Sequence, residues 1–294
     1  MKILITGASG TIGSDLVNFF SKKHKIFAFY RSKNFVVKTL KNKNIVWIKH
    51  DLKKKILHNI NPEIIIHCAI IHSFSKKKKG DYLDLNYIIL KNIIDFCNKN
   101  KIKKFFNLST ILVYGKIQKN YLDETSDYLC SDDYGLAKLF SEEILSLQKF
   151  DVLSLRLPGV ITYFSSDKRR PWLTQVANKI LKGKKVEIYN YNQAFYNFID
   201  TIEIYKFLNF LIRKKGKMEK GSINFSCKKP LKIKHIISQL KSHFLSKSKV
   251  INKKSKNINF KIISNKCYKN YNFKIANAST VINRYISDLK TNTN

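Results

Sequence analysis

Apolar residues along this chain follow two rhythms that take turns. Ile3, Leu4 and Ile5 form an unbroken apolar run, the pattern of a strand covered on both faces. From Thr11 onward Ile12, Leu16, Val17, Phe19 and Phe20 recur at helical spacing. Lys25–Tyr30 and Ile64–Ala69 then read as buried strands, and Ile45–Lys49 between them as a strand. Tyr82–Lys99 reads as a helix with Leu83, Tyr87, Leu90, Ile93, Ile94 and Cys97 on one face. Phe105–Leu108 is a fifth strand, Ser131–Lys149 a second amphipathic helix and Val152–Leu155 a sixth strand. Strands that alternate with helices predict an α/β fold with a doubly wound parallel sheet.

Past Gly159 the rhythm changes. Trp172–Lys182, Thr201–Arg213, Ile233–Phe244 and Ser279–Leu289 read as helices, and Val186–Tyr189 and Ile223–Phe225 as short strands. Ser75–Gly80 and Lys247–Asn257, both rich in lysine and serine, read as loops. The division expected is a sheet domain over 1–160 and a smaller α/β cap over 161–294, with the chain free to interleave between them. Such a cap would cover the strand ends, where ligands of open α/β sheets bind.

The turn after the first strand carries the first chemical signal. Gly7, Gly10 and Gly13 fall at three-residue intervals between strand and helix. That geometry aims free helical N–H groups and the positive end of the helix dipole at one point, which suits a phosphate. Gly7 allows the tight turn, Gly10 the approach of a pyrophosphate and Gly13 close packing of helix on strand. The bland alternative is a turn that merely happens to be glycine-rich.

Charge and cysteines narrow the classes. The formal net charge is +36, from 56 Lys and Arg against 20 Asp and Glu. Nearly all the excess is lysine; arginine, the residue suited to bidentate phosphate and base contacts, occurs only at 31, 156, 169, 170, 213 and 284. Lysines spread evenly, without aromatic interleaving, read as solvated faces and not as a nucleic-acid site. The positive field would still gather polyanionic small molecules. No run of about 18 uncharged apolar residues predicts a membrane span, and the start enters a strand directly, so no signal peptide is expected. Cys68, Cys97, Cys130, Cys227 and Cys267 show no CxxC pairing. They read as free thiols in a reducing cytoplasm, with no metal site.

Several polar residues fall at strand ends. Tyr30 stands where an acid would bind the adenosine ribose, with Arg31 and Ser32 next. A guanidinium without an acid suits a 2′-phosphate and favours NADPH over NADH; the alternative for Arg31 is a solvated charge. Asp51 would accept from an adenine amino group or cap the next helix. His67 reads as a packed histidine. Ser109 and Thr110 end the fifth strand. Tyr134 and Lys138, four residues apart, project from one helix face. A nearby cation would lower the tyrosine pKa from about 10 and make it an acid or base at neutral pH. Alone, such a pair reads as a solvated helix face.

The pair is not alone. TGASGTIG (6–13), Asp51–Leu52, IIIHCA (64–69), Asn86, LSTILVYG (108–115), YGLAK (134–138) and LRLPGV (155–160) come in the order and at the separations of extended short-chain dehydrogenases/reductases. The chain resembles their NAD(P)-dependent nucleotide-sugar epimerase/dehydratase family. The likeness continues in EIYNYNQAFYNFI (187–199) and, loosely, in NKCYKNYNFK (265–274), so it covers nearly the whole chain.

The resemblance implies a Rossmann-type sheet with a substrate-binding cap. It implies cofactor contacts at Gly7, Ser9, Gly10, Thr11, Ile12, Gly13, Tyr30, Arg31, Asp51, Leu52, Ala69, Asn86 and Pro158. Tyr134 would be the acid/base, Thr110 the hydroxyl that orients the substrate oxygen, and Lys138 the group that holds the nicotinamide ribose and tunes the tyrosine. On the substrate side it points to Tyr114, Gly159 and Tyr196, with Arg169 and Arg170 as replacement cations. Dehydratases of the family carry Asp–Glu after the catalytic threonine; here Ile111 and Leu112 follow. Gly159 and Tyr196 replace an asparagine and an arginine that touch the sugar nucleotide.

The function expected is therefore a cytoplasmic sugar epimerase or keto-reductase, its substrate nucleotide-linked, in the usual setting of surface-polysaccharide synthesis. The rival is a non-catalytic dinucleotide-binding sensor or scaffold of the same fold. Family members often dimerise through the two helices at Tyr82–Lys99 and Ser131–Lys149, and the apolar stripes here permit a homodimer.

Overall fold

A computed structural model describes residues 1–71, 81–129, 132–164, 172–192, 194–256 and 258–291. Its centre is a seven-stranded sheet. In spatial order the strands are Gly221–Asn224, Asp151–Leu157, Lys104–Thr110, Ile64–His67, Lys2–Thr6, Lys25–Tyr30 and Ile45–Lys49, and every pairing is parallel. The chain winds outward from Lys2–Thr6 in one direction, then returns and winds out the other way. The reversal leaves a crevice above the carboxyl end of the first strand.

The unbroken apolar runs have a simple cause: both faces of the sheet are covered. Ile3 and Ile5 enter one core with Leu16, Val17 and Phe20 of the helix Thr11–Ser21. Leu4, Ile65 and Phe105 enter a second core on the opposite face, with Leu90 and Ile93 of the helix Asp81–Lys99. Alternate side chains of one strand thus feed two cores. Tyr87, expected on the packed face of Asp81–Lys99, is instead 44% exposed, because Asn86 and Ile89 take the inward positions.

The second half departs from a separate cap. Gly221–Asn224 joins the central sheet as its outermost strand beside Asp151–Leu157. The helix Thr201–Arg213 returns to the first helix, where Tyr205 meets the Phe19 and Phe20 rings at 5.4 and 4.8 Å. The chain therefore interleaves across residue 160. The stretch read as a loop over Lys247–Asn257 contains a strand, Val250–Lys253, paired in parallel with Val186–Tyr189. A short strand whose residues stay half-exposed or exposed carries lysines at little cost, so composition hid it. Four cysteines, Cys68, Cys97, Cys227 and Cys267, are free. Among the described residues no helix is long and apolar enough to cross a membrane. The loop expected at Ser75–Gly80, Cys130, and the expected start of a helix at Ser131 lie outside the described residues.

One buried carboxylate ties the halves together. Asp15, on the inner face of the first helix, accepts from the backbone N–H groups of Tyr163 (2.7 Å) and Phe164 (2.8 Å) and from the Thr201 hydroxyl. Burial pushes its pKa up, and these donors oppose the rise. Asp15→Ala would leave the buried Thr201 hydroxyl and two part-buried N–H groups without an acceptor. It is expected to lower the unfolding free energy by roughly 3 kcal/mol, read as a lower urea midpoint at unchanged m-value.

Candidate active site

The glycine turn has the geometry that a phosphate cradle needs. Gly7 has a φ of +62°, and a Cβ there would stand 2.9 Å from the backbone of Ala69. At Gly13 a Cβ would lie 2.2 Å from the Gly7 carbonyl oxygen, so the helix can approach the strand only because residue 13 has no side chain. At Gly10 the clearance to the same oxygen would be 3.1 Å. No side chain caps the helix Thr11–Ser21, which leaves the N–H groups of its first turn for a ligand. Asn34 donates to the Ser9 carbonyl at 2.8 Å and ties the loop after the second strand to this turn.

From the turn a cavity of about 830 Å³ runs along the carboxyl ends of the strands. Gly7, Ser9, Gly10, Thr11, Ile12 and Gly13 line its floor. Tyr30, Arg31, Asp51 and Leu52 line one end, Ala69 lies beside Gly7, and Thr110, Tyr134, Lys138, Pro158, Gly159 and Tyr196 line the other end. Its size suits a dinucleotide with part of a second ligand. Arg31 is exposed at the rim. Asp51 caps no helix: its carboxylate accepts from the Lys53 N–H at 3.1 Å, within a turn. At the far end Tyr196 stands 4.8 Å from Trp172, ring to ring, and a Cβ on Gly159 would come within 3.1 Å of the Tyr196 hydroxyl. Trp172, which the sequence pattern placed only on a helix, thus belongs to the cavity wall.

Two expected contacts are not in the cavity. Asn86 is buried behind it, where its amide bonds the Ile71 N–H and carbonyl and the Tyr82 carbonyl. It shapes the cavity by holding Ile71, which does line it. Tyr114 is buried beneath the site, donating to Asn224 at 2.7 Å and accepting from Arg156 at 2.9 Å. The short 3-10 turn Ile111–Tyr114, capped by the Thr110 hydroxyl, turns it inward. Arg169 and Arg170 lie outside the described residues.

Electrostatics at the Tyr134 end of the cavity also differ from the expectation. Lys138 is 3% exposed and donates to the Leu108 carbonyl at 2.6 Å. Burial pulls its pKa down to about 8. Tyr134 is pushed up to about 12, by burial first and then by Asp132, the residue that caps its helix. The expected lowering of Tyr134 by Lys138 is therefore absent in the protein alone: burial and Asp132 both raise it, and the ammonium donates to Leu108. His67 bonds Thr6 at 2.8 Å, and burial drops its pKa to about 3, so it stays a neutral packed histidine.

Beneath these groups lies a network that the sequence pattern did not reveal. Arg156 pairs with Glu142 through three hydrogen bonds of 2.7 to 3.3 Å, and both are buried. Glu142 also accepts from the hydroxyls of Ser109 and Ser222. The Arg156 guanidinium lies over the Tyr114 and Tyr128 rings, 5.0 and 4.8 Å from their centres, and donates to both hydroxyls. Two signals could have found it. An arginine inside the apolar strand LSLRL demands a buried partner, and Glu142 extends the Tyr134–Lys138 stripe by one more turn.

Comparison with known proteins adds the following. A model of the NAD dependent epimerase/dehydratase family matches residues 3–225. A Bacillus subtilis (strain 168) protein described as an uncharacterized UDP-glucose epimerase, YtcB, is 31% identical over 180 residues, 56% of either chain. The chain spans just over half the length of the curated relatives it matches. In three dimensions it is similar over its full length to a Thermotoga maritima UDP-glucose 4-epimerase solved with UDP-glucose, with a TM-score of 0.85 at 18% identity and 100% of both chains covered. The Bordetella bronchiseptica enzyme WbmG, solved with NAD, gives a TM-score of 0.83 at 16% identity, covering 99% of this chain and 94% of that one. At these identities the likeness is one of fold.

Removing the guanidinium would leave a charged carboxylate buried with only two hydroxyls. Arg156→Met is expected to destabilise the protein by about 3–5 kcal/mol in urea titrations at pH 7. The paired change of Arg156 and Glu142 to apolar residues should recover much of the loss.

Proposed function

Because the chain belongs to the NAD dependent epimerase/dehydratase family, we propose that it moves hydride at a ring carbon of a sugar, nucleotide-linked, as an epimerase or keto-reductase. The observation that carries this reading is one continuous cavity that joins the uncapped glycine turn to Thr110, Tyr134 and Lys138. A dinucleotide would rest its pyrophosphate on residues 7–13, with Pro158 and Gly159 at the nicotinamide end. When bound, the nicotinamide supplies a hydride acceptor and donor.

The chain's own residues handle the proton. Tyr134, with its pKa near 12, holds its proton at neutral pH and is set to donate to a sugar oxygen. To accept one it must be stabilised as phenolate, and Lys138, four residues on along the same helix and in the same cavity lining, is the cation assigned to that. Thr110 orients the oxygen. Ile111 and Leu112 bring no carboxylate beside Thr110, so elimination of water has neither its acid nor its base there, and epimerisation or ketone reduction is favoured. Trp172 and Tyr196, both from the second half, wall the substrate end. That supports a substrate-binding role for the residues after 160. The sensor or scaffold reading is less favoured, since the three polar residues share the cavity with the glycine turn.

Other parts of the proposal rest on single features. Arg31 at the rim beside Tyr30, with no acid at that strand end, supports NADP(H) over NAD(H). Exposed Tyr87, Ile88, Leu136 and Phe140 form an apolar patch across the two neighbouring helices and support a homodimer. Free thiols at four cysteines support a reducing, cytoplasmic setting.

With UDP-glucose and UDP-N-acetylglucosamine as probes, Tyr134→Phe is expected to lose turnover by roughly 10²- to 10⁴-fold while dinucleotide binding persists. Turnover on trace cofactor identifies an epimerase, and stoichiometric oxidation of reduced cofactor a reductase; full activity of Tyr134→Phe would end the assignment. Separately, Arg31→Ala is expected to weaken NADPH binding about tenfold in a fluorescence titration and leave NADH binding unchanged. Equal affinity of the wild type for both cofactors would remove the NADP(H) preference.

A further inference from the structure

The helix Asp133–Ser146 carries Tyr134, Lys138 and Glu142 at four-residue steps, along one stripe. The lower two grip the strand Lys104–Thr110 at successive residues. Lys138 bonds the Leu108 carbonyl, and Glu142 accepts from the Ser109 hydroxyl. Thr110 comes next, at the cavity. Glu142, itself only 3% exposed, also accepts from Arg156 and Ser222. Ser109, Arg156 and Ser222 stand on three neighbouring strands, and all three donate to Glu142, so one carboxylate ties the helix to all three.

We propose that Glu142 is a positioning residue for the reaction: it fixes the register of the Tyr134–Lys138 helix on the strand ends and holds a negative charge one turn from the Lys138 ammonium. It rests on the roles given above to Tyr134 and Lys138. Two features carry it. Glu142 and Lys138 bond separate groups of the same strand, so removing Glu142 frees Ser109 without touching the Lys138 hydrogen bond. Second, the groups facing Lys138 are His67 and Cys68 from the adjoining strand end and Glu142 from its own helix. His67 is neutral, and the Cys68 thiol, pushed up to about 12 by burial, keeps its proton over the working range. Glu142 is thus the formal charge among them. Burial has already brought Lys138 down to about 8, and the Glu142 charge acts against that fall. A buried cation that loses its neighbouring anion gives up its proton at lower pH.

Glu142→Gln keeps the shape and removes the charge. In lysine-¹³C-labelled protein the Lys138 ε-carbon is identified by its loss in Lys138→Met. Its titration midpoint is expected near 8 in the wild type and about one pH unit lower in Glu142→Gln. With UDP-glucose as probe, the alkaline limb of kcat should move down by the same amount while KM stays put. An unmoved midpoint in a folded Glu142→Gln protein overturns the proposal. Should that variant fail to fold, Ser109→Ala decides: it removes one hydroxyl and leaves the Arg156 pair intact. Amide exchange across residues 134–138 is expected to quicken at least about tenfold; unchanged exchange overturns the proposal. If the wild type turns over no nucleotide sugar, the reaction assigned above fails, while the titration and the exchange still judge Glu142.

Discussion

A carboxylate and a guanidinium buried together under the cavity floor set the terms for the rest of the molecule. Neither can be buried alone: each charge costs several kcal/mol to strip of water, and only close pairing with full hydrogen bonding returns it. Glu142 and Arg156 meet that demand by recruiting Ser109, Ser222, Tyr114 and Tyr128. The recruits come from different elements, so meeting the demand aligns the helix Asp133–Ser146 with three strands and the 3-10 turn. The groups above them, Thr110, Tyr134 and Lys138, inherit that alignment. The same arrangement explains why Tyr114 lies below the cavity and not in it: its hydroxyl is needed by Arg156 and Asn224.

Much of this was legible in the sequence, for identifiable reasons. The strands Lys25–Tyr30 and Ile45–Lys49 appear at the expected bounds because each is a short run rich in β-branched and aromatic residues between polar turns. The glycine turn was legible because its residues answer to local sterics, and a Cβ at 7 or 13 meets backbone. What local patterning could not carry was partnership. Val250–Lys253 is a strand only because Val186–Tyr189 lies beside it. Asn86 and Tyr114 sit at motif positions, yet their side chains answer to groups fixed by tertiary packing, Ile71 for one and Arg156 for the other. The sign of the Tyr134 shift was also hidden, since spacing says that a lysine is near but not how dry the phenol is or where the ammonium points.

The two halves depend on each other in a similar way. Asp15 begins in the helix of the glycine turn and ends its hydrogen bonds on Tyr163, Phe164 and Thr201. Nearby, Tyr163 and Arg284 share Asp200. Polar side chains thus join the glycine-turn end of the cavity to its far end through the interior, and the wall made by Trp172 and Tyr196 is anchored to the same frame as the turn at residues 7–13.

The order of strands in space has a consequence for synthesis. The strand Asp151–Leu157 is an open edge until Gly221–Asn224 arrives to cover it, and some sixty residues separate the two. While the chain emerges from the ribosome that edge offers unpaired amides, and Arg156 lacks the Asn224 and Ser222 ends of its network. During that interval the nascent protein is a template for wrong pairing. Shielding by chaperones would matter most there.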